Sequence, residues 1–304
     1  VNLNAAVTTT EALEELLAEL TRSEGFVLDV ETTGLDPMQA ELVGISLSTA
    51  PGTAWYIPVG HRDSVLSSSK DGAQLPLDAV ISRLKPVLQD PRIPKTAHNG
   101  NYDLTVLANQ GVEVQNLAFD TMVAAHLLGR KTLGLKPLVL DYLSHEMTPI
   151  TALIGSGQKQ ISMADVSILE ATPYACADAD LTGRLRARLE PDLRQEESLW
   201  KLFAEVEMPL VPVLVTMQRH GVAVETRILT EMSRKLGDQI RSLEADVYNL
   251  VGHQFNISSP QQLSEVLFGQ LGMPKTKRTK TGYTTDAQAL ESLKGAHPVI
   301  PKIL

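Results

Sequence analysis

The chain has 304 residues, 43% of them hydrophobic and 21% charged, a composition that excludes collagen-like, low-complexity and wholly disordered classes and, at roughly 150 residues per domain, predicts two domains or one domain with a large appendage. No window approaches the roughly 20 uninterrupted apolar residues of a membrane span, and the first residues lack a basic and apolar leader pattern, so membrane and secretory readings fall away. A single cysteine, Cys176, excludes an internal disulfide framework and a cysteine zinc site, and a cytoplasmic location is expected. The net charge of −9 is uneven: residues 1–200 carry 15 basic against 26 acidic side chains, and residues 201–304 carry 12 against 10.

In chain order, Glu11–Leu20 places Leu13, Leu16, Leu17 and Leu20 on one helical face. Gly25–Glu31 is an apolar, β-branched run closed by Thr33-Gly34 and Asp36-Pro37, as a buried strand ending in a turn is. Leu42–Ser48 and Ala54–Val59, separated by Ala50-Pro51-Gly52, extend it into an antiparallel meander, and Ser64–Gly72 reads as an exposed polar loop. Helical patterns at Leu77–Leu88, Tyr102–Ala108 and Thr121–Leu128 then alternate with an extended piece at Ile93–Ala97, predicting an α/β domain with a mixed sheet. Thr172-Pro173 reads as the N-cap and first residue of a helix running through Arg188, with Pro191 marking its end. From Glu196 the texture is purely helical. A stripe from Leu199 and Leu202 through Phe203, Val206, Leu210, Val213, Leu214 and Met217 ends at Gly221, with a kink or fresh start expected at Pro209 and Pro212. Leu229, Met232, Leu236, Ile240, Leu243, Val247 and Leu250 form the seam of a long helix, and Ser259–Gln262 and Thr285–Gln288 fit capping boxes. These stripes read as core, and the domain boundary is expected near residue 195, giving domains 1–195 and 196–304.

The chemistry is carried by scattered acids. Asp29 and Glu31 are separated by one residue on a strand, so both carboxylates project from the same face, and their repulsion calls for a hard divalent cation. An isolated Asp-x-Glu is more often an exposed strand end, so the pair needs company. Asp103 falls in the first turn of the helix after His98-Asn99, where the dipole favours an anion. Tyr174 and Asp178, at i and i+4, share one helix face, while Asp180 lies round the helix as a structural or exposed acid.

Phe26–Pro37, with Asp29, Glu31, Thr32 and Leu35, resembles the first motif of the 3′-5′ proofreading exonuclease domain of family A DNA polymerases, the DNA polymerase I type. His98-Asn99 with Tyr102-Asp103 resembles the second motif, and Tyr174–Asp178 the third. Glu207–Leu214 with His220-Gly221-Val222 resembles the entry into the polymerase region, and Phe255–Leu263, Thr276–Thr285 and His297–Ile300 resemble its thumb. The palm and finger motifs are missing, Asp141-Tyr142 being no substitute, and the chain is expected to be a fragment of a longer polymerase.

The resemblance implies a ribonuclease H-like 3′-5′ exonuclease domain with a mixed sheet, followed by an all-helical thumb segment. It implies two divalent cations, Mg²⁺ or Mn²⁺ with Zn²⁺ an alternative in the first site, the first held by Asp29, Glu31 and Asp178 and the second by Asp29 and Asp103. Tyr174 is then expected to position the attacking water. Thr32, Leu35 and Asn99 are expected to hold the terminal nucleotide, Leu35 as an apolar wedge, with Ile150 a second apolar contact. Expected partners are DNA, single-stranded at the 3′ end and duplex at the thumb, and the remaining palm and fingers of the polymerase, in the longer protein or as a separate chain. Lys275, Lys277, Arg278 and Lys280 form a basic run whose like charges predict an extended loop, read either as solvated or as phosphate-contacting. A ribonuclease D-like exoribonuclease, which shares the three motifs, and a non-catalytic DNA-binding scaffold are the alternatives.

Overall fold

The computed structural model describes residues 3–62, 74–279 and 282–304; the expected loop at 64–72 and Lys280 lie outside them. The chain divides into two compact units, Val1–Gly221 and Val222–Leu304.

The first unit is built on a six-stranded mixed sheet of order β1-β4-β3-β2-β5-β6, with β1 at Leu3–Ala6, β2 at Phe26–Thr32, β3 at Leu42–Ala50, β4 at Thr53–Pro58, β5 at Lys95–Ala97 and β6 at Leu117–Asp120. The expected meander β2-β3-β4 is antiparallel, whereas β1 joins β4, β5 joins β2 and β6 joins β5 in parallel. Strands β1 and β6, four residues each, have too little alternation to be read from sequence. Helices α1 (Thr10–Arg22), α2 (Leu77–Leu88), α3 (Gly100–Asn109), α4 (Thr121–Leu127), α5 (Leu135–Leu143) and α6 (Thr151–Ile154) follow in order. Leu28, Val30, Ile45, Leu47 and Ile57 on one sheet face join Leu13, Leu16 and Leu20 of α1 and Leu84 and Leu88 of α2 in the main core. Strand alternation turns Asp29, Glu31 and Ser46 to the other face.

That other face meets α7, Ile168–Arg194, which packs across β1 to β4. The helix starts a turn earlier than expected: Ser167 is the N-cap, its hydroxyl accepting from the Glu170 amide, while Thr172 donates back to the Ile168 carbonyl at 2.6 Å. Pro173, the sixth residue of the helix, has no N–H to donate to the Leu169 carbonyl. Pro191 likewise lies inside the last turn rather than ending the helix.

Beyond residue 195, α8 (Glu197–Leu202), one π-helical segment (Phe203–Glu207) and α9 (Met208–His220) remain packed on the first unit, with Phe203 against Phe119 at 4.8 Å between ring centres. The π turn, closed by the Met208 amide donating to the Phe203 carbonyl, leads directly into Pro209, which has no N–H to donate. It also shifts the helical phase, so the buried face is Phe203, Met208, Val211 and Val215, and the expected Leu210, Val213, Leu214 and Met217 are exposed. Gly221, at φ +65°, ends the helix as expected.

The second unit contains α10 (Thr226–Val251), α11 (Pro260–Ser264), a short antiparallel pair β7 (Arg278–Thr279) and β8 (Gly282–Tyr283), α12 (Ala287–Ser292) and α13 (Ile300–Ile303). It is therefore helical with one small hairpin rather than all-helical. Its core gathers Val247, Leu263, Leu267, Phe268, Leu290, Val299 and Ile300. Of the seven seam residues of α10 only Val247 is buried; Leu229, Met232, Leu236, Ile240, Leu243 and Leu250 are exposed, because the unit's packed elements meet only the C-terminal end of that helix. Ser259 caps α11, but Gln262 reaches back to the Asn256 amide, and Asp286 rather than Thr285 caps α12.

Candidate active site

Strand β2 delivers Asp29 and Glu31 side by side, and α7 brings Asp178 over them, so that one carboxylate oxygen from each lies within 4.8 Å of the others. The Ser46 hydroxyl on β3 donates to Asp29 Oδ2 at 3.1 Å. One oxygen of Asp178, Oδ1, is buried and receives no hydrogen bond. The Lys136 ammonium on α5 stands 3.5 Å from it, donates to the Tyr174 hydroxyl at 3.1 Å and lies 4.4 Å from the centre of the Tyr174 ring.

Crowding of acids in a buried place disfavours their ionised forms. Burial first, and then the Asp178 charge, push Asp29 up to about 7 against the opposing pull of Ser46 and Lys136. Burial and the neighbouring Asp29 push Glu31 and Asp103 well above the ordinary carboxylate range. Burial also raises Asp178, with Lys136 and the Tyr174 hydroxyl offsetting part of the effect, and burial with the Asp178 charge raises the Tyr174 phenol. An all-oxygen donor set in which one buried oxygen receives no hydrogen bond and ionisation is suppressed fits a hard divalent cation, which takes such ligands and favours their charged form.

Asp103 is deeply buried, at 3% exposure, at the start of α3, and its Oδ1 accepts the Val30 amide of β2 at 2.9 Å. It is not among the three whose oxygens lie within 4.8 Å of one another, though the Asp29 charge acts on it. Asn99 precedes α3 in the left-handed conformation, φ 63°, and is exposed. Asp120 at the end of β6 holds this turn: its carboxylate accepts from the amides of Asn99 (3.2 Å), Gly100 (2.7 Å), Met122 (2.8 Å) and Val123 (3.2 Å). The chain is tight here, since a Cβ on Gly100 would come within 2.9 Å of Leu117. The Thr32 and Tyr102 hydroxyls both donate to the Gly34 carbonyl, fixing the turn from which Leu35 projects at 96% exposure. Ile150 and Tyr174 both pack against the small core that includes Val43, Tyr56 and Ala175. Asp180 is structural, accepting from the Gly52 amide and pairing with Arg184.

The basic run lies in the second unit. Lys275, Lys277 and Arg278 are exposed, but the segment is not a free loop where it is described. Arg278 pairs with Tyr283 in the hairpin, the Thr284 amide donates to the Lys277 carbonyl at 2.9 Å, and Lys275 lies 5.4 Å from the Tyr283 ring centre. Backbone pairing outweighs the like-charge repulsion that predicted an extended loop.

A family model described as 3′-5′ exonuclease matches residues 4–194. The chain belongs to the 3′-5′ exonuclease family. A second model, DNA polymerase family A, matches residues 226–304, so the exonuclease part is the kind carried by DNA polymerase I relatives. DNA polymerase I of Chloroflexus aurantiacus is 41% identical over 300 residues, 96% of this chain and 31% of that protein. DNA polymerase I of Pseudomonas aeruginosa is 36% identical over 293 residues, 95% of this chain and 32% of that protein. The chain thus spans about a third of the length of the curated relatives it matches. Among solved structures, the POL domain of Pol1 from M. smegmatis, in complex with DNA primer-template and dNTP, superposes with a TM-score of 0.67 at 28% identity, covering 98% of this chain and 47% of that one. An apo form of a nuclease superposes at 0.53 with 21% identity over 73% of this chain and 95% of that one, a likeness of fold alone. The ribonuclease H-like arrangement expected from the sequence is therefore the fold of this exonuclease family member.

Three residues at the site escaped the sequence reading. Asp120 had a legible signal, an acid directly before a helical pattern. Ser46 needed the β2-β3 register, and Lys136 needed the packing of α5 on α7; neither is marked in the sequence.

Proposed function

We propose that the chain hydrolyses DNA from the 3′ end to nucleoside 5′-monophosphates, as the proofreading exonuclease of a DNA polymerase I-type protein acting in replication and repair in the cytoplasm. The observation that carries the proposal is the convergence of Asp29, Glu31 and Asp178 within 4.8 Å, on a face shared with Tyr174. Asp29, Glu31 and Asp178 hold a first divalent cation, and Asp29 with Asp103 serves a second. The oxygen-only ligands suit Mg²⁺ or Mn²⁺ better than Zn²⁺. When bound, such a pair lowers the pKa of a water and stabilises the leaving 3′ oxygen.

Tyr174 orients the attacking water with its hydroxyl. Thr32 and Asn99 hold the terminal nucleotide, and Leu35 wedges against its base. A terminal nucleotide must leave the duplex to reach the carboxylates, so frayed or mismatched ends are degraded first, through melting cost alone. We assign 1–195 to the exonuclease domain and 196–304 to the start of the polymerase region, where Lys275, Lys277, Arg278 and Lys280 meet duplex phosphates. The match of residues 226–304 to DNA polymerase family A favours this reading over a ribonuclease D-like enzyme.

The test is a 5′-labelled single-stranded oligodeoxynucleotide incubated with the protein and Mg²⁺. A ladder shortened from the 3′ end is expected, and Asp29→Ala and Glu31→Ala each reduce the rate at least about 100-fold, some 2.7 kcal/mol of barrier. Near wild-type rates in either folded variant would overturn the metal assignment.

A further inference from the structure

Lys136 stands at the second residue of α5, with its side chain 28% exposed, and is the cation in contact with both Tyr174 and Asp178. An ammonium donates hydrogen bonds and accepts none, whereas a phenol has one proton and can do both. At 3.1 Å the Tyr174 oxygen therefore accepts from Lys136. Its own proton must then point away from the ammonium, towards the Asp178 side of the site, and a hydroxyl otherwise free to rotate is committed as a donor. The same ammonium, 4.4 Å from the ring centre, holds the ring by a cation–π contact. Its 3.5 Å approach to Asp178 ties this arrangement to the carboxylate one helical turn further along α7. Pro137 follows at once and stiffens the start of α5.

We propose that Lys136 is a positioning residue for hydrolysis that acts through Tyr174, setting the phenol as the donor that orients the attacking water. The proposal rests on the exonuclease reading above. It is distinct from a role for Lys136 in holding substrate, and the two separate in a double-mutant cycle.

The cycle compares wild type, Lys136→Met, Tyr174→Phe and the double variant in single-turnover hydrolysis of a short single-stranded oligodeoxynucleotide at saturating Mg²⁺. Lys136→Met should lower the rate about tenfold with the substrate half-saturation constant within about twofold, the worth of one well-placed hydrogen bond. In the Tyr174→Phe background the same change should cost less than about twofold, because no hydroxyl remains to be oriented. Lys136→Arg, which keeps charge and donors, should recover most of the rate. A readout independent of catalysis is the ¹³C spectrum of tyrosine-labelled, metal-free protein: the Tyr174 ring signal, assigned with Tyr174→Phe, should move in Lys136→Met and return towards wild type in Lys136→Arg.

An equal loss in both backgrounds, a rise in the half-saturation constant without a rate loss, or an unmoved Tyr174 signal would each overturn the proposal. Failure of the exonuclease reading is separable. It would appear as a wild-type rate in Tyr174→Phe itself, or as no Mg²⁺-dependent hydrolysis at all.

Discussion

Asp29 is held between two demands, burial that favours its protonated form and a cluster whose chemistry needs the charge. With its carboxyl pushed up to about 7, it keeps its proton more tightly in the folded chain than in the unfolded one. Such a group supports the fold fully below the ordinary carboxylate value near 4, and that support is lost as the pH rises through about 7. Glu31 and Asp178, raised in the same direction, add to the effect. In EDTA the protein should therefore melt several degrees lower at pH 8 than at pH 5.5, and added Mg²⁺ should raise the melting temperature much more at pH 8. A Mg²⁺ effect equal at both pH values in a melting series would contradict this account of the cluster. Asp29 and Glu31 were legible in the sequence because strand alternation alone places them together. Lys136 was not, since a lysine before a proline is unremarkable until α5 is seen to lie along α7.

At the scale of elements, one buried carboxylate organises the approach to the site. Asp120 caps α4 and at the same time ties down the Asn99–Gly100 turn that opens α3. Asp120→Ala removes a helix cap, worth about 1 kcal/mol, and leaves buried amides unpaired at about 1–3 kcal/mol each when water cannot reach them. A loss of about 2–4 kcal/mol is expected in urea unfolding. In the residual folded protein, the half-saturation constant for single-stranded DNA should rise more than the turnover falls, because Asn99 lies in the loosened turn itself whereas Asp103, further into α3, keeps its bond from the Val30 amide of β2. A turnover collapse with unchanged half-saturation would place the effect at the carboxylates instead. Helix boundaries show where sequence pattern runs short. Thr172-Pro173 has every local mark of a helix start, yet Ser167 caps the helix a turn earlier, because Ile168 and Ala171 are buried as α7 packs on the sheet. The π turn at Phe203–Glu207 likewise rotates the buried face of α9 away from the stripe that regular spacing predicts.

Across the whole molecule, the acidic side chains concentrate in the first 200 residues and the surplus of basic ones lies beyond them. If Lys275, Lys277, Arg278 and Lys280 each meet one phosphate, replacing all four with Ala should flatten the slope of log affinity against log salt for duplex DNA by at most about 3.6, with turnover on short single strands barely changed. An unaltered slope would return the run to a solvated role. The mixed sheet and the switch to helices were legible because they rest on periodicity, whereas the reach of the first unit to Gly221 rests on which face of α8 and α9 packs, which periodicity does not say. Helix α7 carries one more consequence, for biosynthesis. It is the piece that covers the sheet, and it also brings Tyr174 and Asp178, which follow Asp29 and Glu31 by nearly half the chain. On the proposed exonuclease reading, a nascent or misfolded chain without α7 in place presents two carboxylates, no third ligand and no phenol, and should leave nucleic acid intact; hydrolysis should begin only once α7 has docked.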